Sequence, residues 1–126
     1  MLAGATLPLL LSACSSGHES AVSATAAKYF DALAAQDGQT ACDLLAPTTR
    51  SELEQSTKSP CPKAIVSEAV AQPGDQRDVE VFGTMAEVRF TDDTVFLTQS
   101  DAGWRVMASA CKPVPAHPYD CSVKGG

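Results

Sequence analysis

The residues of this chain best suited to chemistry are its five cysteines. Cys14 stands alone after an apolar N-terminal run, while Cys42, Cys61, Cys111 and Cys121 form an even set in the remainder. An even set in a short chain is the pattern of disulfides formed in an oxidising compartment. The local pairing, Cys42 with Cys61 and Cys111 with Cys121, is expected, because each pair falls within one segment of the elements read below. Metal binding through Cys111, His117 and Cys121 is the competing use. The absence of paired C-x-x-C clusters weighs against it, so neither a metal nor a cofactor is expected.

Other reactive residue types are sparse. There is no G-x-S-x-G nucleophile elbow, P-loop, dinucleotide fingerprint or H-E-x-x-H pair. His18 is expected in a solvated tether, where a catalytic group could not be held in place, and His117 lies between prolines near the C-terminus. Tyr29 and Asp31 could supply an acid and a hydroxyl to a pocket. On a helix, however, residues two apart are turned about 200° from one another, so both do not point easily into one cavity. Asp92 and Asp93 are adjacent carboxylates, read as turn formers between strands. Trp104, the single tryptophan, is read as a packing residue at the start of the last strand of the sheet.

Length and charge narrow the classes. The segment beyond Cys14 suits one domain with a modest core. It carries all of the formal charge of −6, which argues against nucleic acid as a partner and against electrostatic adsorption to anionic lipid.

Leu2 to Leu11 is uncharged and apolar, of signal-peptide length and too short to span a bilayer. It ends in Leu11-Ser12-Ala13-Cys14, which resembles the lipobox of bacterial lipoproteins at all four positions. The resemblance implies cleavage before Cys14 and acylation of that residue, and two acyl chains suffice for stable anchoring. No Lys or Arg precedes the apolar run, so the true start is expected upstream of Met1. The expected organisation is a signal peptide over 1–13, the lipidated Cys14 with a tether over 14–20, and a single domain over 21–126. The tether, Ser15 to Ser20, would reach about 20 Å at ~3.4 Å per residue.

Val22, Ala26, Tyr29, Phe30 and Leu33 share one face of a first helix, with Ser16 and Glu19 as a capping box and Gly38 as its stop. A second helix over Gln39 to Ala46 is cut off by Pro47. A third runs from Thr49, boxed by Glu52, to Ser56, and Ser59-Pro60 opens a fourth that ends at Pro73-Gly74. The period then changes to two: Val79 and Val81, then Ala86, Val88 and Phe90, alternate with charged residues. Thr94 to Thr98 and Trp104 to Ala108 complete a meander of four antiparallel strands, followed by an irregular, proline-rich tail from Lys112 to Gly126.

Helices first and an antiparallel sheet second make an α+β arrangement. The order of elements, the phrases Ala86-Glu87-Val88-Arg89-Phe90 and Gly103-Trp104-Arg105-Val106, and the tail Pro118-Tyr119-Asp120-Cys121 look like NTF2-like lipoproteins of high-GC bacteria. The resemblance covers about Ala21 to Gly126. It implies a cone: N-terminal helices packed on a curved four-stranded sheet, with the tail pinned by Cys111 and Cys121. A pocket in that cone would be lined by Tyr29, Phe30, Leu33, Val88, Phe90, Trp104 and Val106, with Ala108 also facing the first helix.

The function expected from these residues is a non-catalytic binding or accessory domain held by its lipid at the outer face of the cytoplasmic membrane. Its partner would be a small apolar ligand or a protein. The alternative is a small-molecule isomerase or dehydratase working in the cone, which requires a titratable group pointing into open space.

Overall fold

The computed structural model describes residue 4 and residues 16–125. The signal peptide and the acylation of Cys14 therefore concern residues outside the described ones. Among those described, no helix is long and apolar enough to cross a membrane. The architecture is α+β: four helices, α1 (Ser16–Ala34), α2 (Gly38–Asp43), α3 (Pro47–Thr57) and α4 (Cys61–Glu68), precede five strands. These are β1 (Gln76–Phe82), β2 (Met85–Phe90), β3 (Thr94–Ser100), β4 (Gly103–Val114) and β5 (His117–Lys124). They form one antiparallel sheet in the order β1-β2-β3-β4-β5.

The apolar stripe of α1 behaves as its spacing requires, with Val22, Ala26, Tyr29, Phe30 and Leu33 all buried. The helix begins at Ser16, so most of the stretch read as tether is its first turn and a half. It stops before Gly38. Gln36 takes the left-handed conformation at φ 56°, and the Asp37 N–H reaches back to the Ala32 carbonyl at 2.8 Å, closing the end in the manner of a Schellman turn. Gly38 instead opens α2, where Asp37 caps the helix by accepting from the Thr40 N–H at 3.1 Å and the Thr40 hydroxyl at 2.6 Å. Those two donors hold the Asp37 carboxyl below the usual range.

The second helix is shorter than its pattern because the sheet competes for the chain after it. Leu45 forms a parallel bridge to Val106, with the Val106 N–H donating to Leu44 and the Ala46 N–H donating to Val106, both at 2.8 Å. Pro47 then starts α3 rather than only ending α2, since its missing N–H costs nothing at a first helical position. Thr49 lies inside α3 and makes no capping box. Fully buried, it donates its hydroxyl to the Met107 carbonyl at 2.8 Å, joining helix to sheet.

The disulfides pair as expected. Cys42 and Cys61 join the end of α2 to the start of α4 across 6.1 Å between Cα atoms. Cys111 and Cys121 face each other across β4 and β5. The tail is therefore a fifth strand, not irregular chain. Proline there misled the sequence reading: Pro118 sits on an edge strand, where a missing donor need not break a ladder, and Pro113 lies where the register shifts between Lys112 and Val114.

The helices cover the face formed by Ala86, Val88, Val95, Leu97, Trp104, Val106 and Val123, which share one core with α1 and with Leu45, Leu53 and Ile65. On the other face, Phe96 and Tyr119 meet edge to face at 5.2 Å, and the Tyr119 hydroxyl donates to Glu87 at 3.3 Å.

Gly38 is the tightest point between helices: a Cβ there would come within 2.1 Å of the Pro62 carbonyl oxygen. Backbone cannot yield as a side-chain tip does, so Gly38→Ala should lower stability by about 1–3 kcal/mol, as overpacking does. Urea unfolding followed by circular dichroism measures it. An unchanged midpoint would show that α2 and α4 can separate freely despite the disulfide beside them.

Candidate functional site

Six of the seven side chains expected to line a pocket come together in the buried core, with Phe90 packed at its edge. Tyr29, Val88 and Val106 are 0% exposed and Leu33 is 3% exposed, while Phe30 and Trp104 retain 5% each. A surface that a water-sized probe cannot touch borders no water-sized void. Phe90 is half-buried and closes the end of this cluster, its ring 4.7 Å from that of Phe30. Small-domain energetics favour this outcome, because an unfilled core forfeits dispersion contacts that the domain has few others to replace.

Ala108 does not join the cluster. The β3–β4 register shifts between Phe96 and Leu97, so that Leu97 pairs with Val106 but Phe96 pairs with Ala108, and Met107 is the extra residue. The bulge turns Ala108 to the Phe96 side and hands the inward position to Ser109, which pairs with Val123. Strict alternation from Trp104 puts Ser109 outside. It is fully buried, and its hydroxyl lies 2.6 Å from that of Tyr29.

Tyr29 thus has a polar partner inside the core, which sequence reasoning missed. Burial pushes its hydroxyl far above the ordinary tyrosine range; the Ser109 hydrogen bond opposes the shift and the charge of Asp93 adds to it. Tyr29 stays neutral at any physiological pH and cannot act as a general base. Asp31, its expected companion, is exposed on α1.

The acid that is buried is Asp93, 5% exposed. Asp92 and Asp93 do occupy the turn between β2 and β3, but only Asp92 points to solvent. The Asp93 carboxylate accepts from three backbone N–H groups: Thr94 at 2.8 Å, Cys111 at 2.9 Å and Ala110 at 3.1 Å. Ala110 sits at φ 53°, a left-handed position in the middle of β4. The carboxylate replaces the missing strand partner at that point. Burial raises its pKa, and the three donors pull it back. No sequence signal separates Asp93 from Asp92, because the donors come from a strand seventeen and eighteen residues away.

Asp93 forms part of the wall of an open cleft of about 400 Å³ at this end of the sheet, with Phe90, Asp92, Cys111, Lys112 and Tyr119 among its other residues. Trp104 and His18 lie elsewhere. His18 is in the first turn of α1, exposed, with its ring edge-on to Trp104 at 6.5 Å. The backbone of His117 opens β5. Cys111 and Cys121 are joined to each other, so their sulfurs are not free thiolates for a metal.

The site defines an α+β domain whose interior is closed and whose concave surface lies at one end of the sheet. Comparison with protein-family models, with curated proteins and with solved structures finds no match in any of the three.

Two outcomes test this site. Tyr29→Phe leaves the Ser109 hydroxyl buried without its partner and should cost about 1–3 kcal/mol, whereas adding Ser109→Ala should recover part of that loss. A double variant no better than Tyr29→Phe alone would deny the coupling. For Asp93 the folded pKa lies above the unfolded one, so protonation favours the folded state. That contribution is complete below the unfolded carboxyl range, near pH ~4, and is lost as pH rises through the folded value. The difference in unfolding free energy between wild type and Asp93→Asn should therefore shift against the wild type as pH rises. A difference independent of pH would contradict the assignment.

Proposed function

We propose that the chain is a lipoprotein, anchored through Cys14 at the outer face of the cytoplasmic membrane, whose NTF2-like domain is a non-catalytic binding or accessory module. The anchor is supported by Leu11-Ser12-Ala13-Cys14 and by four further cysteines tied into two disulfides, as suits an exported chain. The NTF2-like reading is supported by the order of elements, helices first and an antiparallel meander second. The observation that carries the binding role is the closed interior: Tyr29 is neutral and bonded to Ser109, and Asp93 is committed to three backbone donors. An isomerase or dehydratase needs an acid or base facing open space, and these two groups are already engaged. Contact with a partner then falls to the outer surface, where the cleft beside Asp93 offers aromatic, cationic and acidic groups together in Tyr119, Lys112 and Asp92.

Expressed from its native start in a bacterium with a lipoprotein pathway and fed an alkyne fatty acid, the protein should be tagged and sediment with membranes. Cys14→Ser should abolish the tag. An untagged wild type in the soluble fraction would overturn the anchor. A fluorescent fatty-acid analogue should show no saturable uptake by the folded domain; uptake displaced by unlabelled fatty acid would reopen the interior as a ligand site.

A further inference from the structure

We propose that the domain stands on end at the membrane, resting on the first turn of α1 and the β3–β4 turn, with the cleft beside Asp93 facing away from the lipid. The inference rests on the acylation of Cys14 and adds the geometry that acylation imposes. Because α1 is helical from Ser16, only Ser15 separates Cys14 from the folded domain. Two residue steps span at most about 7 Å. The domain therefore has no tether, and whatever lies beside the start of α1 lies against the headgroups.

What lies there is the beginning of β4. His18 meets Trp104, the second residue of that strand, and the exposed turn from Ser100 to Gly103 adjoins it. From that level helix and strand run side by side. Eleven residues along α1, Tyr29 meets Ser109, five residues along β4. The helix covers about 17 Å in that interval at ~1.5 Å per residue, and the strand covers about the same at ~3.3 Å per residue. The match means that both run from the anchored end in one direction. Asp93, bonded to Ala110 and Cys111 just beyond Ser109, is at the far end with the cleft.

The competing pose lays the domain on the outer flank of α1. That would bring Lys28 and Asp31, both exposed, to the lipid surface. The end presents mainly small residues, Ser100, Ala102 and Gly103, beside Asp101 and Glu19. The β1–β2 turn lies at the same end of the sheet and carries Phe82, 59% exposed, a large apolar side chain placed to enter the headgroup layer. The acyl chains hold it with Phe82 beside them, while the acidic surface adds no electrostatic adsorption to anionic lipid.

Carboxyl labelling reads the pose without mutation. The mature, acylated protein is reconstituted in phosphatidylcholine and phosphatidylglycerol vesicles, treated with a carbodiimide and an amine, and compared by mass spectrometry with the same protein in detergent. Labelling of Glu19 and Asp101 should fall several-fold in vesicles, while that of Asp92 and Asp120 stays unchanged. Loss of labelling at Asp31 with Asp101 still reactive, or equal labelling at all of these positions, would overturn the orientation. The mass of the N-terminal peptide is read in the same spectra. A peptide without acyl mass overturns the anchor and the orientation with it, whereas an acylated peptide with Asp101 fully reactive overturns the orientation alone.

Discussion

A single buried carboxylate organises the end of this sheet on which the other features depend. β4 is twelve residues long, and β3 cannot pair with all of it: their ladder ends where Phe96 meets Ala108. Beyond that point β4 turns through a left-handed alanine, and its N–H groups at Ala110 and Cys111 face inward with no strand beside them. Unmet, each would cost about as much as a lost hydrogen bond. Asp93 meets both, and binds its own neighbour Thr94 as well. The three N–H donors offset part of the desolvation of this group, which sits 5% exposed.

The position of that clamp decides what the neighbouring residues do. With β4 held beyond the bulge at Met107, Ser109 faces the core and meets Tyr29 from the long helix, so the core's central aromatic has a partner for its one polar atom. Two residues further on, Cys111 lies opposite Cys121 and the tail becomes a paired strand. The other disulfide acts on the helical layer, where α2 and α4 approach so closely at Gly38 that no side chain fits between them. One crosslink thus secures the helices and the other the sheet edge. A domain that buries a modest core gains proportionately more from each.

The interior is spent on stability, and this bears on function. Apolar side chains from Leu33 to Val106 pack the space between helices and sheet. The polar groups inside are matched with one another or with backbone, and among the described residues no buried side-chain nitrogen or oxygen lacks a partner. Among the described residues a concave surface lies at the clamped end, beside Asp93, where strand ends meet a turn.

What could be read from the residues alone was whatever depends on local pattern. The helical face from Val22 to Leu33, the change of period after Pro73-Gly74, the inward set Ala86, Val88 and Phe90, and the parity of the cysteines are all properties of neighbours along the chain, and each has its place in the structure. Sequence patterning misplaced the stop at Gly38, the capping box at Thr49, the end of the second helix and the fate of the tail, and in the last three a distant group outbid the local signal. The left-handed Gln36 and the Asp37 cap end α1 before Gly38, the Met107 carbonyl takes the Thr49 hydroxyl, Val106 draws Leu45 into a bridge, and β4 supplies the ladder that makes the tail a strand. Asp92 and Asp93 show the division most clearly. They are chemically identical and adjacent, and local rules treat them alike. Only the tertiary structure decides that one stays in water and the other is buried, because two of the donors that make burial tolerable come from β4, one strand and one turn further along the chain.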